Sequence, residues 1–315
     1  MKDSLLANGL EVCYNANIWS TKIDQGKEAA ALRDYDEQAM ALIRDAYDLH
    51  VHSWPDHDKR SVSDLELLED AERFGMAGVL IKNHYEPTTG RAALAGKLHR
   101  GKAKIFGSIA LNWSVGGVNP YAAESAARMG AKMIWLPTRD AEASLKRTGY
   151  GNYRPRPALK AVDSEGRLLP ALLEVLEVAR DYDIPVSTGH ISMEESFAVC
   201  RAGLDLGVCM VLSHPEYDHT PVSVSNQQRF AEMGVLIEKD WVDIALRMAS
   251  IEDAANSICR LGAKNIYLAT DRGQADGERP VEGLLQFVHG LLRCGIAPDD
   301  IAIMIRTNPR AVLRL

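Results

Sequence analysis

Two histidines separated by one residue are the feature of this sequence best suited to chemistry. His50 and His52 lie in the segment 47–53, which reads Tyr-Asp-Leu-His-Val-His-Ser. If this segment is a strand, both imidazoles project from the same face, because strand side chains alternate with a period of two. One metal ion can then be bound by both rings. The sequence therefore predicts a metal site at the end of a first strand.

Further groups that can bind a metal or polarise a substrate follow the later apolar runs. The ends of these runs carry Lys82, His84, Asn112, Arg139, His190, His214, Glu238 and Asp271. Neutral imidazoles with one carboxylate suit Zn²⁺, and also Mn²⁺ or Fe²⁺. Such an ion lowers the pKa of a bound water and polarises a carbonyl group. The residue types therefore predict a divalent metal, zinc first, and a hydrolytic reaction.

Several of these residues also have a structural interpretation. Asp271 can cap the helix that follows it, and His214 lies in a Ser-His-Pro sequence that is typical of a turn. His84 can bind metal, bind substrate or simply pack against its neighbours. Lys82 is either a functional cation or a solvated residue at the end of a strand. The metal hypothesis rests on the whole set, because a single histidine at a strand end is more often a buried structural residue.

Eight predicted strands position these residues. They lie at 47–52, 77–81, 104–111, 132–136, 184–188, 208–212, 235–237 and 266–269. Helix signals separate them, such as Ser63 with Glu66 three residues later, which is a capping-box pattern, and the pair Asn119-Pro120. Strands that alternate with helices pair in parallel through right-handed crossovers. We predict an α/β fold, a (β/α)8 TIM-like barrel with function at the C-terminal strand ends. The alternative is an open doubly wound sheet, but the sequence has no GxGxxG motif after an early strand to support it.

Composition narrows the functional class. The chain has 315 residues, 46% hydrophobic and 25% charged, and a formal net charge of −7. This charge argues against nucleic acid or a membrane surface as a partner. Five scattered cysteines without a CxxC pair, no signal-peptide pattern and no run of 18 apolar residues favour a cytoplasmic location. We divide the chain into an N-terminal extension at 1–46, interpreted as a cap or a homo-oligomer contact, and a catalytic domain at 47–315.

The order of the strand-end residues resembles that of the amidohydrolase superfamily of metal-dependent hydrolases. The resemblance covers most of the chain from residue 47. It rests on the HxH pair after strand one, single histidines after strands five and six, and an aspartate after strand eight. It implies that His50, His52, His190 and Asp271 bind the metal, with His214 as a further ligand or as a group that polarises the substrate. The segment 308–311, Asn-Pro-Arg-Ala, also resembles the C-terminal helix of that superfamily.

Two features differ from the usual pattern of the superfamily. Residues 135–138 end strand four without the lysine that bridges two metal ions in many members. We therefore favour one ion over two, and interpret Lys82 as a substitute bridge or as a cation for the substrate. The HxH motif together with His84 also resembles the PHP phosphoesterases, which would make His84 a metal ligand. PHP domains have seven strands and end in Asp-x-His, whereas residues 270–272 are Thr-Asp-Arg, so this resemblance ranks second.

The predicted activity is hydrolysis of an amide, cyclic amide, lactone or ester of a small molecule. Asp271 would take a proton from the attacking water, and His214 or Lys82 would stabilise the developing oxyanion. The alternatives are a PHP-type phosphoesterase, a metal-dependent decarboxylase of the same superfamily, and a metal-holding or regulatory binding protein without turnover.

A polar insertion at 138–167 bears on the substrate. It contains several basic residues, and is either a lid that binds a carboxylate or phosphate or a solvated loop. An anionic substrate would be contacted by Arg139, Arg154 and Arg272.

Overall fold

The computed structural model describes residues 36–151 and 153–315. Residues 1–35 of the predicted N-terminal extension therefore lie outside the described residues. Its last part is helical over residues 36–42 and packs on the rest of the chain, since Ala39 and Ile43 are fully buried. Arg306 holds this helix by donating hydrogen bonds to the carbonyl oxygens of Ala41 and Leu42.

Two parallel sheets form the centre of the described chain. The strands are β1 (Tyr47–Val51), β2 (Gly78–Ile81), β3 (Lys104–Phe106), β4 (Ile109–Ala110), β5 (Ile134–Trp135), β6 (Val186–Ser187), β7 (Met210–Leu212), β8 (Leu236–Asp240) and β9 (Ile266–Ala269). One sheet has the order β1-β2-β3 and the other the order β4-β5-β6-β7-β8-β9, and neighbouring strands are parallel throughout. Strand order thus follows chain order, as successive βα units require.

Backbone contacts connect the edges of the two sheets. Residues 107–108 alone separate β3 from β4. At the opposite edges, the Asp271 N–H donates to the His50 carbonyl oxygen at 2.8 Å. The His52 N–H donates to the Arg272 carbonyl oxygen, also at 2.8 Å. The residues that follow β9 therefore lie directly against β1 and the residue after it.

Helices connect the strands and cover the sheets. They are α1 (Asp64–Arg73), α2 (Thr89–Leu98), α3 (Pro120–Arg128), α4 (Glu142–Thr148), α5 (Pro170–Asp181), α6 (Met193–Asp205), α7 (Val224–Glu232), α8 (Trp241–Ala245), α9 (Ile251–Leu261), α10 (Pro280–Arg293), α11 (Pro298–Ala302) and α12 (Asn308–Val312). The predicted capping box of α1 is confirmed. Ser63 Oγ accepts a hydrogen bond from the Glu66 N–H, and the Glu66 carboxylate accepts one from the Ser63 N–H. None of the helices described has the length and apolar character needed to cross a bilayer.

Both faces of the sheets are buried. Val79 and Ile81 of β2 pack in a large apolar cluster with helix side chains. Leu80, between them, packs in a second cluster that includes Trp135 and Tyr267. Because side chains alternate along a strand, the two clusters lie on opposite faces, which is the pattern of parallel sheets covered on both sides.

The third predicted strand is interrupted in the structure. Between β3 and β4 the chain passes so close to α2 that a Cβ at Gly107 would lie 2.5 Å from Cα of Thr89. The Ser108 N–H donates to Thr88 Oγ1 at 2.7 Å, so a side chain replaces a strand partner at this point. This contact depends on a neighbouring helix and could not be read from the alternation of apolar residues.

The predicted polar insertion at 138–167 also contains regular structure. It includes α4, and the backbone of Leu159 bonds to the segment before this helix. The Leu159 N–H donates to the Asp140 carbonyl oxygen at 2.8 Å, and the Glu142 N–H donates to the Leu159 carbonyl oxygen at 3.0 Å. The chain after α4 is therefore fastened to the start of this helix rather than being a free loop.

Candidate metal centre and active site

The HxH pair and Asp271 converge on one point. The Nε2 atoms of His50 and His52 each lie 3.0 Å from Oδ1 of Asp271. All three side chains are largely or fully buried, and together they form a group whose donor atoms could hold one ion. The structure thus brings together predicted ligands that are more than 200 positions apart in the sequence.

Backbone geometry after β9 fixes this arrangement. Asp271 has a φ of +47°, in the left-handed region that aspartate tolerates better than most residues. Gly273 has a φ of +134°, and a Cβ there would lie 1.8 Å from the carbonyl oxygen of His52. Only glycine allows so close an approach, so the turn after β9 is pressed against the end of β1.

Five imidazole rings form a closed circuit around the site. Their centroids are separated by 5.5 Å for His50 and His52, 4.9 Å for His52 and His84, 6.0 Å for His84 and His190, 4.9 Å for His190 and His214, and 5.8 Å for His214 and His50. These are the five histidines that the sequence places at strand ends. Four separate segments, those after β1, β2, β6 and β7, contribute to the circuit.

Several ring nitrogens of the circuit are available to an ion. In the part of the chain that the structure describes, Nδ1 of His52, Nδ1 of His190 and both nitrogens of His214 are buried without a hydrogen-bond partner. Burial lowers the pKa of His52 and of His190, and lowers the pKa of His214 to about 4. These rings are therefore neutral near pH 7, which is the form that coordinates a metal.

A hydrogen-bond network holds the ring of His84. The Asn112 amide donates to Thr138 Oγ1 at 2.6 Å, while its oxygen accepts from the Thr138 N–H at 2.9 Å. His84 Nδ1 lies 2.8 Å from Thr138 Oγ1, so these two atoms share a hydrogen bond. This bond engages Nδ1 and leaves Nε2 as the nitrogen for a metal or a substrate, so the ligand role of His84 stays a prediction.

Lys82 lies beside the ligand group. Its side chain is fully buried, with Nζ 2.8 Å from Nε2 of His50 and 4.4 Å from the centroid of the Trp135 ring. Burial lowers the pKa of Lys82, and the carboxylates of Asp271 and Glu238 oppose this effect. The alternative of a solvated strand-end lysine is therefore wrong, and Lys82 is a buried amine next to the predicted metal.

A buried acidic group lies on the other side of His50, and the sequence predicted its Glu238 only as one of the polar groups at strand ends. Glu238 Oε1 lies 2.9 Å from His50 Nδ1, and Asp240 Oδ2 lies 3.5 Å from the same atom. The Tyr267 hydroxyl donates a short hydrogen bond to Glu238 Oε2. The signal in the sequence is the spacing of Glu238 and Asp240, which places both carboxylates on one face of β8.

The charged groups around His50 shift one another's pKa values. Burial disfavours the charged form of His50, but the carboxylates of Asp271 and Glu238 raise the pKa of the imidazole well above its usual value. Burial likewise opposes ionisation of Asp271, yet His50 and His52 hold the pKa of that carboxyl well below its usual range. Burial and the adjacent Glu238 raise the pKa of Asp240, which favours its neutral form.

A cavity of about 380 Å³ adjoins the circuit. It is lined by His52, Asp58, Lys59, Arg60, His84, Arg139, Tyr217, Asp271, Gln274, Ala275 and Asp276. Arg139 pairs with Asp58 at 3.2 Å, and Arg60 pairs with Asp56 at 2.8 Å. Lys59 has no ion-pair partner among residues 36–151 and 153–315. The wall is therefore polar and offers at least one uncommitted cation.

The polar insertion packs beside this cavity. Arg156 Nε donates to the buried carboxylate of Asp140 at 2.6 Å, which folds the segment back on itself. The Tyr153 hydroxyl lies 3.0 Å from His57 Nδ1, and the Tyr153 ring stacks on Tyr85 with centroids 5.5 Å apart. His57 and Tyr85 follow β1 and β2, so the insertion contacts the same end of the sheets as the imidazole circuit.

Two of the three predicted substrate contacts lie away from the cavity. Arg272 is buried and pairs with Glu278, with 2.9 Å between Nε and Oε1. Arg154 is exposed and does not line the cavity wall. Arg139 does line it. A long side chain is directed by its ion-pair partner, and the partner of Arg272 is not apparent from sequence spacing.

A family model described as a family of unknown function (DUF6282) matches residues 45–238. The matched segment is more than half of the chain and includes the five histidines of the circuit. The chain belongs to the DUF6282 family. No protein of curated function matches it.

Solved structures similar to this DUF6282 protein include several hydrolases. An amidohydrolase from Pseudomonas aeruginosa is 15% identical with a TM-score of 0.62, over 89% of this chain and 98% of that one. The probable dipeptidase PvdM from the same species is 12% identical with a TM-score of 0.60, over 90% and 98%. A putative 2-pyrone-4,6-dicarboxylic acid hydrolase from Pseudomonas putida is 13% identical with a TM-score of 0.54, over 85% and 97%. At these identities the likeness shows a shared α/β fold; the resemblance to PHP phosphoesterases stays a prediction.

Proposed function

We propose that this DUF6282 protein is a metal-dependent hydrolase of the amidohydrolase type, built on a closed (β/α)8 barrel. The observation that carries the proposal is the shared contact of His50 Nε2 and His52 Nε2 with Asp271 Oδ1, at 3.0 Å each. The hydrogen bonds between the residues after β9 and those of β1 support closure of the barrel. The carboxyl ends of the strands are where such barrels carry their active sites.

The donor set fits a zinc-like ion. In a tetrahedral site with bonds of about 2.1 Å, ligand atoms lie about 3.4 Å apart, close to the separations measured between Asp271 and the two Nε2 atoms. His190 and His214 add buried nitrogens that lack partners within the described ranges. Because the segment after β5 carries no lysine that could bridge two ions, we favour a single Zn²⁺, Mn²⁺ or Fe²⁺.

The residues around the ligand group suit hydrolysis of a carbonyl compound. A bound ion would lower the pKa of a water molecule and polarise the substrate carbonyl. Asp271, which lines the cavity, accepts the proton of the attacking water and returns it to the leaving group. The Lys82 amine lies 2.8 Å from His50 Nε2, and the His84 ring lies 4.9 Å from the His52 ring, so both groups are placed to stabilise the developing oxyanion.

The cavity favours a small polar substrate that carries a negative charge. Its volume lies near the lower end of the range of small-molecule sites, about 300–1,000 Å³. Lys59 and Arg139 supply cations to the cavity lining, and Gln274 supplies an amide. We therefore propose an amide, cyclic amide, lactone or ester with a carboxylate group as the substrate.

Metal content and turnover of His50→Ala test the proposal. The wild-type protein is loaded with Zn²⁺, Mn²⁺ or Fe²⁺, dialysed and analysed for bound metal, and is assayed on lactones, cyclic amides and esters with and without a carboxylate. We expect one ion per chain in the wild type, and loss of both metal and turnover in the variant. His99→Ala is the matched control, since His99 contacts Glu72 outside the cavity and should leave both unchanged. Metal and turnover that persist in His50→Ala would contradict the proposal.

The same assays separate the competing activities. Phosphate release from simple phosphoesters, without hydrolysis of carbonyl compounds, would favour a PHP-type phosphoesterase. Release of CO₂ from aromatic or unsaturated carboxylates would favour a decarboxylase. A bound ion without turnover on any of these compounds would favour a metal-holding or regulatory protein.

A further inference from the structure

Glu238 lies outside every motif that carries the resemblance to amidohydrolases. It belongs to β8 and is fully buried. Its Oε1 lies 2.9 Å from Nδ1 of His50, a predicted metal ligand 188 positions away in the sequence. Its other oxygen accepts the hydrogen bond of the Tyr267 hydroxyl. Both oxygens of this carboxylate are therefore committed to specific donors.

We propose that Glu238 is a positioning residue for the metal centre, which holds His50 with its Nδ1 proton facing away from the ion and its Nε2 lone pair facing Asp271. The proposal rests on the proposed function, because it requires His50 to be a metal ligand. Metal-bound histidines commonly donate their second ring N–H to a carboxylate, which fixes the ring orientation and increases its basicity. Of the two carboxylates that face His50 Nδ1, Glu238 is the closer, at 2.9 Å against 3.5 Å for Asp240.

The contacts of Glu238 determine the direction of the hydrogen bond. An ionised carboxylate only accepts, so the proton between Glu238 and His50 lies on Nδ1. Tyr267 donates to the second oxygen, and this bond holds the carboxylate plane in a buried site where side-chain rotation is restricted. Nε2 of His50 then points to Oδ1 of Asp271 at 3.0 Å, on the side of the predicted ion.

The alternative is a ligand role for Glu238. Glu238, Asp240 and His50 Nδ1 form a second group of donor atoms within 4.8 Å of one another. The Nε2 side of His50 offers the second imidazole of His52 and adjoins the cavity through Asp271, whereas Nδ1 faces two fully buried carboxylates, and Glu238 also accepts from Tyr267. The geometry therefore favours one ion on the Nε2 side of His50, with Glu238 behind the ring.

The test measures metal affinity of the full-length chain by competition with a chromophoric chelator, using Zn²⁺ and Co²⁺. Glu238→Ala is expected to weaken binding about 10–100-fold. Glu238→Gln keeps an oxygen that can accept from Nδ1, so this variant should lose less metal affinity than Glu238→Ala. Tyr267→Phe should also lose less metal affinity than Glu238→Ala. Asp243→Asn is the control, because it neutralises a buried carboxylate just after β8 whose oxygens have no hydrogen-bond partner in the described chain.

A double-mutant cycle distinguishes positioning of His50 from a general structural effect. His50→Ala is expected to lose its metal on dialysis, so its weak residual affinity is measured by direct titration with excess metal. If Glu238 acts through His50, then Glu238→Ala should cause no further loss of that residual affinity. The visible spectrum of bound Co²⁺ should also change in Glu238→Ala and remain that of the wild type in Asp243→Asn. A purely structural role would lower affinity in both backgrounds.

The outcomes separate this proposal from the proposed function. A wild-type chain that binds no divalent ion would overturn the proposed function itself. A wild type that binds one ion, with equal affinity in Glu238→Ala or an equal loss in Asp243→Asn, would overturn only the role of Glu238. Two ions in the wild type and one in Glu238→Ala would make Glu238 a ligand. If Glu238→Ala does not fold, unchanged affinity in both Glu238→Gln and Tyr267→Phe overturns the proposal.

Discussion

The imidazole circuit and the cavity wall are built in different ways. The circuit consists of short side chains at strand ends, whose positions follow from the backbone of β1, β2, β6 and β7. The wall also contains long charged side chains, and Arg139 among them is held by an ion pair with Asp58 of another loop. The comparison teaches that strand topology positions the circuit, whereas the wall also depends on contacts between loops.

The largest expected effect is on kcat/KM. It compares Asp271 of the ligand group with Asp276, another carboxylate of the cavity lining. Asp271→Asn should lower kcat/KM by about 10²–10⁴-fold, because an amide cannot accept the proton of the attacking water. Asp276→Asn, which also removes a carboxylate from the cavity lining, should change kcat/KM less than tenfold. Equal losses in the two variants would mean that the cavity needs only negative charge, and would remove the distinction between centre and wall.

A smaller effect, on stability, tests whether the polar insertion beside the wall depends on a buried ion pair. Asp140→Ala removes the buried partner of Arg156 and should lower the free energy of unfolding by about 2 kcal/mol, allowing for the partial exposure of the arginine. Glu142→Ala removes the partly exposed partner of the exposed residues Lys146 and Lys160 in the same segment, and should cost less than about 1 kcal/mol. Denaturant unfolding measures both values. A loss from Glu142→Ala as large as that from Asp140→Ala would contradict this account of the segment.

The smallest expected effect is on substrate affinity. Arg139→Ala should raise KM about tenfold for a carboxylate-bearing substrate with little change in kcat, because the side chain lies at the wall and not at the reacting atoms. Arg154→Ala removes an exposed cation outside the cavity and should leave KM unchanged. Steady-state kinetics on a charged substrate and its neutral analogue measure the difference. A rise in KM for the neutral analogue as well would argue against recognition of charge.

Much of the circuit could be predicted from the sequence because it depends on local periodicity. β9 has the predicted bounds, and the alternation of side chains in β1 places His50 and His52 together. The predicted strand bounds were less accurate where contacts with other segments shorten or divide a strand. The strand expected at 184–188 is ordered as a strand over Val186–Ser187 only, and the one expected at 104–111 is divided at Gly107 by its close approach to α2.

The remaining features depend on contacts between distant segments. The bond between Glu238 and His50 joins β8 to β1, and no spacing rule specifies it. The ring of His84 is held by Thr138, which is in turn bonded to Asn112, and these two residues come from two other strand ends. Arg272 adjoins Asp271 in the sequence, yet its side chain turns to Glu278 rather than to the cavity. Rotamers and ion pairs of this kind are determined only once the fold has brought the segments together.

The central claim is that one divalent ion is bound where the ends of β1 and β9 meet. Anomalous X-ray scattering, collected above and below the zinc absorption edge from crystals of the zinc-loaded protein, tests this claim most directly. The account predicts one peak about 2.1 Å from Nε2 of His50, Nε2 of His52 and a carboxylate oxygen of Asp271. A peak between Glu238 and Asp240, or no peak within coordination distance of these three residues, would contradict it.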